Sequence, residues 1–238
     1  MKTAYRLLGL VLVSLLVSPA FANTAAKIEG NQALADPAPN LTGVGITEKL
    51  GSQIDLNHTF YDETGKVVRL GDFFGGTRPV LISMAYYECP MLCGVILNAL
   101  VDGTKGLGWT PGKEFTLVNV SIDPREKFDL AAKKKQAIIG SLGKPEAAAG
   151  WHFLTGEESQ IKSLATELGF GYRWDDKEKQ FAHGAGVFVL TPDGKLSRVL
   201  YGIQYKPSDL RLSLLEASNG KIGTIVERHM GLSDQSLR

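Results

Sequence analysis

The reactive side chains of this sequence are concentrated in one short box. Cys89 and Cys93 are its two cysteines, and both fall within Tyr86-Tyr87-Glu88-Cys89-Pro90-Met91-Leu92-Cys93-Gly94. A disulfide closing so short a loop removes little chain entropy, so the spacing points to reactivity or metal binding rather than to a structural staple. Residues four apart on a helix share a face, with Cβ atoms about 5–6 Å apart. Two sulfurs at that separation can chelate one soft metal ion. A modest adjustment brings them to the Cβ separation of about 3.5–4.5 Å that a disulfide needs. Pro90 suits a first helical turn, where its missing N–H costs nothing. A helix N-terminus also favours thiolates, which lowers the pKa expected of both thiols.

Two thiolates alone suit a linear or trigonal Cu(I) site, and an added imidazole selects copper over hard cations. Zinc fits less well, because a structural zinc site normally takes four protein ligands. Of the four histidines, His183 lies in Phe181-Ala182-His183-Gly184-Ala185-Gly186, read as a small-residue loop that can approach another segment closely. His58 begins a hairpin, His152 follows Trp151 in a strand, and His229 lies near the C-terminus. A lone histidine is more often structural than ligating, and His183 is the favoured third ligand. Met84 and Met91 could offer thioethers, but apolar packing is the expected role of both.

The elements that must position these groups follow from periodicity. Residues 58–70 read as a hairpin around Asp62-Glu63-Thr64-Gly65. Arg78 to Tyr86 is a mostly apolar run suited to a buried strand, and Leu92 to Gly106 reads as a helix. A second strand is expected from Phe115 to Ile122. A helix from Glu126 to Leu142 follows, with Lys133, Lys134 and Lys135 facing outward. Trp151 to Leu154 is a short strand. Thr155 and Glu158 are placed to form a capping box for a helix ending at Gly169. Val187 to Leu190 and Leu196 to Tyr201 flank a Pro192-Asp193-Gly194 turn, and Ser208 is expected to cap a last helix through about Ser218. This alternation predicts an α/β fold whose central sheet is flanked by helices, with an N-terminal β-hairpin. The Cys box then sits at a strand–helix junction, at the carboxyl end of a strand where open α/β sheets build their sites.

Composition narrows the function classes. The chain carries 26 Lys+Arg against 25 Asp+Glu, is 44% hydrophobic and 21% charged, and shows no repeat or low-complexity tract. This is a globular composition, and its near-zero net charge argues against nucleic-acid binding through an overall field. Two cysteines are too few for a four-thiolate zinc or iron–sulfur site. Residues 1–22 read as a secretory signal. Lys2 and Arg6 precede an apolar stretch from Leu7 to Val17, and Ala20-Phe21-Ala22 fits a cleavage site. The apolar stretch is shorter than the roughly 20 residues of a membrane-spanning helix. That length argues against a permanent span, and no Cys directly follows the stretch, so a lipoprotein anchor is not expected either. The expected organisation is signal 1–22, flexible lead-in 23–50, folded domain 51–218 and C-terminal tail 219–238.

The strand followed by Cys89-Pro90-Met91-Leu92-Cys93, the run Val120-Ser121-Ile122-Asp123-Pro124, and Phe181-Ala182-His183 before an apolar strand and Pro192-Asp193-Gly194-Lys195 resemble the Sco/SenC family. The resemblance covers about residues 54–218 and departs at Gly94, where many relatives carry proline. Many relatives also keep an N-terminal membrane anchor, and the final 20 residues match no family motif. It implies a thioredoxin-like fold, copper bound as Cu(I) or Cu(II) by Cys89, Cys93 and His183, and a periplasmic role in assembling the copper centre of cytochrome c oxidase. The implied partners are the copper-site subunit of that oxidase and another periplasmic copper donor. Asp123 could orient the site, although a turn or helix-capping role in Asp123-Pro124 is at least as well supported.

The alternative is a thiol–disulfide oxidoreductase in which Cys89 and Cys93 attack and resolve a partner disulfide. Against it as the sole activity stand the CxxxC rather than CxxC spacing, and His183 where thioredoxin-like oxidoreductases carry proline. A peroxidase of the peroxiredoxin type would need a supporting Thr and Arg that nothing in the sequence places.

Overall fold

The computed structural model describes residues 42–88 and 92–223, with Leu92 and Cys93 described by their backbone only. Its centre is a run of strands too apolar to face water. Val80–Met84 (β4), Thr116–Val120 (β5) and Gly186–Leu190 (β9) are buried at every position. Continuous apolar strands of this kind must be covered on both faces. The sheet has the order β10-β9-β4-β5-β6, where β6 is Trp151–Leu154 and β10 is Leu196–Tyr201. β4, β5 and β6 run parallel, whereas β9 is antiparallel to β4 and β10 to β9.

The parallel pairs require crossovers, and helices supply them. Leu92–Leu107 (α1) links β4 to β5, and Phe128–Leu142 (α2) links β5 to β6. Glu158–Leu168 (α3) follows β6, and Pro207–Ser218 (α4) follows β10. Side chains alternate between two cores. Val80, Ile82 and Met84 meet Ile161, Leu164 and Leu168 of α3 on one face. Leu81 meets α1, α2 and α4 on the other, around the fully buried Trp151 and Phe153. This mixed sheet with helices on both faces is a thioredoxin-like fold, as expected from the sequence.

The predicted hairpin is present as Thr59–Tyr61 (β2) paired with Val67–Arg69 (β3). The helix expected to end near Gly106 runs through Gly103 and Gly106 to Leu107. A Cβ at Gly103 would stand 2.8 Å from Tyr205 O, so glycine there admits the chain leading into α4. Order reaches back into the expected lead-in, where Gly45–Ile46 (β1) pairs with Gly171 and Phe170. The signal and the rest of that lead-in lie outside the described residues.

Several local expectations are corrected. Thr155 caps no helix. It is buried in a backbone bridge to Tyr61, and Glu157 stands at the N-cap of α3 without a side-chain cap. Ser208 lies inside α4, whose N-cap position is Lys206 and whose first turn is set by Pro207. Lys135 does not point outward. It turns in to a close ion pair with Glu63 in the hairpin turn, and both side chains are largely buried. Glu126 precedes α2 rather than opening it, and its side chain points into the protein.

The largest correction concerns the segment read as a loop before β9. Phe170–Asp175 (β7) and Gln180–His183 (β8) form a hairpin with Tyr172 opposite His183 and Trp174 opposite Phe181. Its turn is closed by Asp175, whose Oδ1 accepts from the amides of Lys177 at 2.9 Å and Glu178 at 3.1 Å.

Candidate functional site

The strand ladder brings Tyr86–Glu88, which lead into the Cys box, and His183 toward one end of the sheet. β4 and β9 are antiparallel neighbours, with Ser83 opposite Val187. The chain leaving β4 toward Cys89 and the chain entering β9 from His183 therefore lie at the same sheet end. Side chains close the gap. The Tyr86 ring lies edge-on to the His183 ring at 6.4 Å and to Phe181 at 5.5 Å. Tyr86 stands three residues before Cys89, so one shoulder of the box touches the histidine directly.

Cys89 and Met91 lie outside the described residues, and Cys93 occupies the second position of α1. Among the described residues no three His, Cys, Asp or Glu side chains converge as a metal cluster.

His183 is half-buried between aromatic rings, with Phe170 at 5.8 Å. Its Nδ1 lies 2.9 Å from Gly184 O. A carbonyl only accepts, so Nδ1 carries the proton and the lone pair of the neutral ring resides on Nε2. Burial lowers the pKa of this imidazole and so favours the neutral form that ligates metals; the hydrogen bond to Gly184 opposes that shift in part. The fixed tautomer and the neutral ring fit a soft-metal ligand.

The other candidates are placed elsewhere. His58 is buried, with Nδ1 3.2 Å from Gln160 Oε1 and Nε2 3.0 Å from Glu167 Oε1, and so staples the segment before β2 to α3. His152 packs on Phe73 at 4.5 Å, with Nδ1 3.8 Å from Glu63 Oε1. Met84 is a core residue, and His229 lies outside the described residues. Asp123 takes the turn role: its Oδ1 accepts from the Arg125 amide at 2.9 Å, and its carboxylate pairs with the Arg125 guanidinium at 2.6–3.1 Å.

Two side chains around this site escaped sequence reasoning. Glu126 is buried and accepts hydrogen bonds from the Tyr87 amide at 2.8 and 2.9 Å, the Glu88 amide at 2.8 Å and Ser121 Oγ at 2.5 Å. Burial raises its pKa, and these hydrogen bonds oppose the rise. Arg125 lies over Trp174 at 4.6 Å and over Phe181 at 5.9 Å. The signal that could have found Glu126 is an acid directly after a strand-ending Asp-Pro turn, read instead as the first residue of a helix.

Tyr87 is buried and anchors the same shoulder. Its hydroxyl lies 2.7 Å from Leu154 O and 3.1 Å from Asn119 O, and burial first, then nearby Glu126, holds its pKa well above 10. The phenol therefore stays a donor throughout the accessible pH range. Tyr87→Phe removes that donor and is expected to cost about 1–2 kcal/mol in urea unfolding. An unchanged midpoint would mean that the hydroxyl holds nothing.

No helix among the described residues is long and apolar enough to cross a membrane. The family model described as SCO1/SenC matches residues 47–212. A curated relative, the SCO1 protein homolog of Bacillus subtilis (strain 168), is 24% identical over 173 residues, covering 70% of this chain and 83% of the relative. Among solved structures, Arabidopsis thaliana ScoI with copper bound superposes with a TM-score of 0.55 at 17% identity, covering 72% of this chain and 99% of that one. BsSco, described with a disulfide switch and as a member of the Sco family of cytochrome c oxidase assembly proteins, gives 0.56 at 22% identity, covering 74% and 99%.

Proposed function

Given that this chain belongs to the SCO1/SenC family, we propose that it is an exported, periplasmic copper chaperone. It binds one copper ion, its cargo, through Cys89, Cys93 and His183, and hands it to the copper-site subunit of cytochrome c oxidase. The observation that supports this reading is the approach of Tyr86, at the entrance to the Cys box, to a half-buried His183 whose Nδ1 is committed to Gly184. The copper-bound plant relative and the oxidase-assembly role given for BsSco point the same way. Export rests on the signal-like residues 1–22.

The residues divide the work. Thiolates at 89 and 93 supply the soft donors. His183 adds a neutral donor that can be released without leaving a charge behind. Transfer then proceeds by stepwise exchange of one ligand at a time for a ligand of the partner, with no net redox change. Reduced protein is expected to bind about one copper per chain, and His183→Ala to weaken binding by roughly 10–100-fold while the disulfide still forms. Competition titration against a chromophoric chelator reads the affinity, and thiol counting reads the disulfide. Equal copper binding without His183 or without either cysteine would defeat the proposal. Turnover of a model disulfide that His183→Ala leaves unchanged would favour the oxidoreductase instead.

A further inference from the structure

The loop between β5 and α2 is bolted to both shoulders of the site. On one side Glu126 receives the amides of Tyr87 and Glu88, the last two residues before Cys89. On the other side Arg125 lies against Trp174 and Phe181 of the hairpin that ends in His183. These rings continue inward: Trp174 meets Phe181 at 5.1 Å, and Phe181 meets Tyr86 at 5.5 Å. Within the loop, the bidentate contact to Asp123 fixes the plane of the Arg125 guanidinium. Ser121 Oγ donates to Glu126 and fixes the carboxylate.

A buried carboxylate that collects two consecutive backbone amides has a cost unless the geometry is held, because burial without partners is unfavourable. Glu126 has its partners, and they belong to the segment that delivers the first cysteine. A guanidinium over an indole is an orientation-dependent contact that lysine reproduces poorly. It holds a two-stranded hairpin whose other edge carries only the short β1. The clamp touches both strands of this hairpin, at Trp174 and at Phe181, and so bears on where His183 stands.

We infer that Arg125 and Glu126 are positioning residues, a brace that sets the separation between the Cys-bearing segment and His183. The metal part of this inference rests on the ligand set proposed above, and the mechanical part does not. Each arm of the brace has its own signature. Arg125→Ala is expected to weaken copper binding by about tenfold and to reduce the nitrogen coupling of the Cu(II) spectrum, leaving thiol alkylation rates as in the wild type. Arg125→Lys keeps the charge beside Asp123 but not the planar stack, and is expected to fall between the two. Glu126→Gln, nearly isosteric, keeps the nitrogen coupling but alters the sulfur-to-copper charge-transfer band. It is also expected to change the alkylation rates of the reduced, metal-free protein by about fivefold, because an amide nitrogen now faces one of the two backbone donors.

The experiment uses the full mature chain. It combines Cu(II) spectra, iodoacetamide kinetics on metal-free protein, and the His183 ring resonances of metal-free Arg125→Ala, which are expected to shift. Unchanged alkylation in Glu126→Gln together with unchanged His183 resonances in Arg125→Ala would overturn the brace, as would a uniform loss of thermal stability with unaltered signatures. Absence of copper binding by the wild type would instead overturn the ligand set. The two metal-free measurements would still decide the brace.

Discussion

Replacing either cysteine by serine is expected to abolish useful Cu(I) binding, lowering affinity beyond the roughly 100-fold that loss of a ligand's outer partner can cost. The reason is chemical rather than steric. Serine is close to cysteine in volume, but its hydroxyl is a hard donor that stays protonated near neutral pH, whereas Cu(I) seeks soft thiolates. Position 93 lies in the first turn of α1, where the helix dipole favours a negatively charged side chain, and serine cannot use that field in the same way. The two substitutions should therefore act alike on copper, each exceeding His183→Ala. Competition titration of Cys89→Ser and Cys93→Ser under reducing conditions, with circular dichroism to show an intact fold, makes the comparison. A variant that kept wild-type affinity would show that its sulfur is not a ligand. The oxidoreductase alternative separates here too. It predicts that one single-cysteine variant traps a mixed disulfide with a partner thiol, and that His183 is dispensable for trapping.

How much of this was legible beforehand depends on the kind of signal each element carries. β4, β5 and β9 announce themselves as mostly apolar, β-branched runs, and β2 and β3 by their turn residues. The proposal of a sulfur site rests on both cysteines falling within one box. The β7–β8 hairpin was not read, although Phe170, Tyr172 and Trp174 alternate with Gly171 and Arg173 at the period of a strand. The polar run from Asp175 to Lys179 obscured it, because charged turns read as loop and the partner strand is only four residues long. Capping was misplaced at Thr155 because tertiary structure used that residue first, as the backbone partner of Tyr61. The brace could not be read at all. Nothing in the spacing of Arg125 and Glu126 indicates that one faces Trp174 and the other Tyr87, since both contacts are long-range.

Acid sensitivity offers the second large effect, and it resides in the hairpin turn rather than at the site. Burial alone would raise the pKa of Glu63, but hydrogen bonds outweigh it and hold the carboxyl at about 2, against its ordinary 4.5. The partners that lower it are His152, at 3.8 Å, then Lys135, and the Phe153 amide at 3.1 Å. A folded-state pKa depressed this far contributes roughly 3 kcal/mol. That contribution is complete above pH 4.5, where both folded and unfolded chains carry the carboxylate. It is lost as pH falls toward 2, because the unfolded chain takes up its proton first. Glu126 acts with the opposite sign: its raised value means that its stabilising share is present at low pH and fades as pH rises through its folded-state value. The acid limb of the wild type is thus the difference of two terms, and Glu63→Gln removes the larger. At pH 7 this variant should lose about 3 kcal/mol in urea unfolding, since it also leaves the largely buried Lys135 without its counter-charge. By pH 3 its deficit should shrink markedly as the wild type loses the same contribution. A deficit independent of pH would show that Glu63 acts through packing and not through its charge.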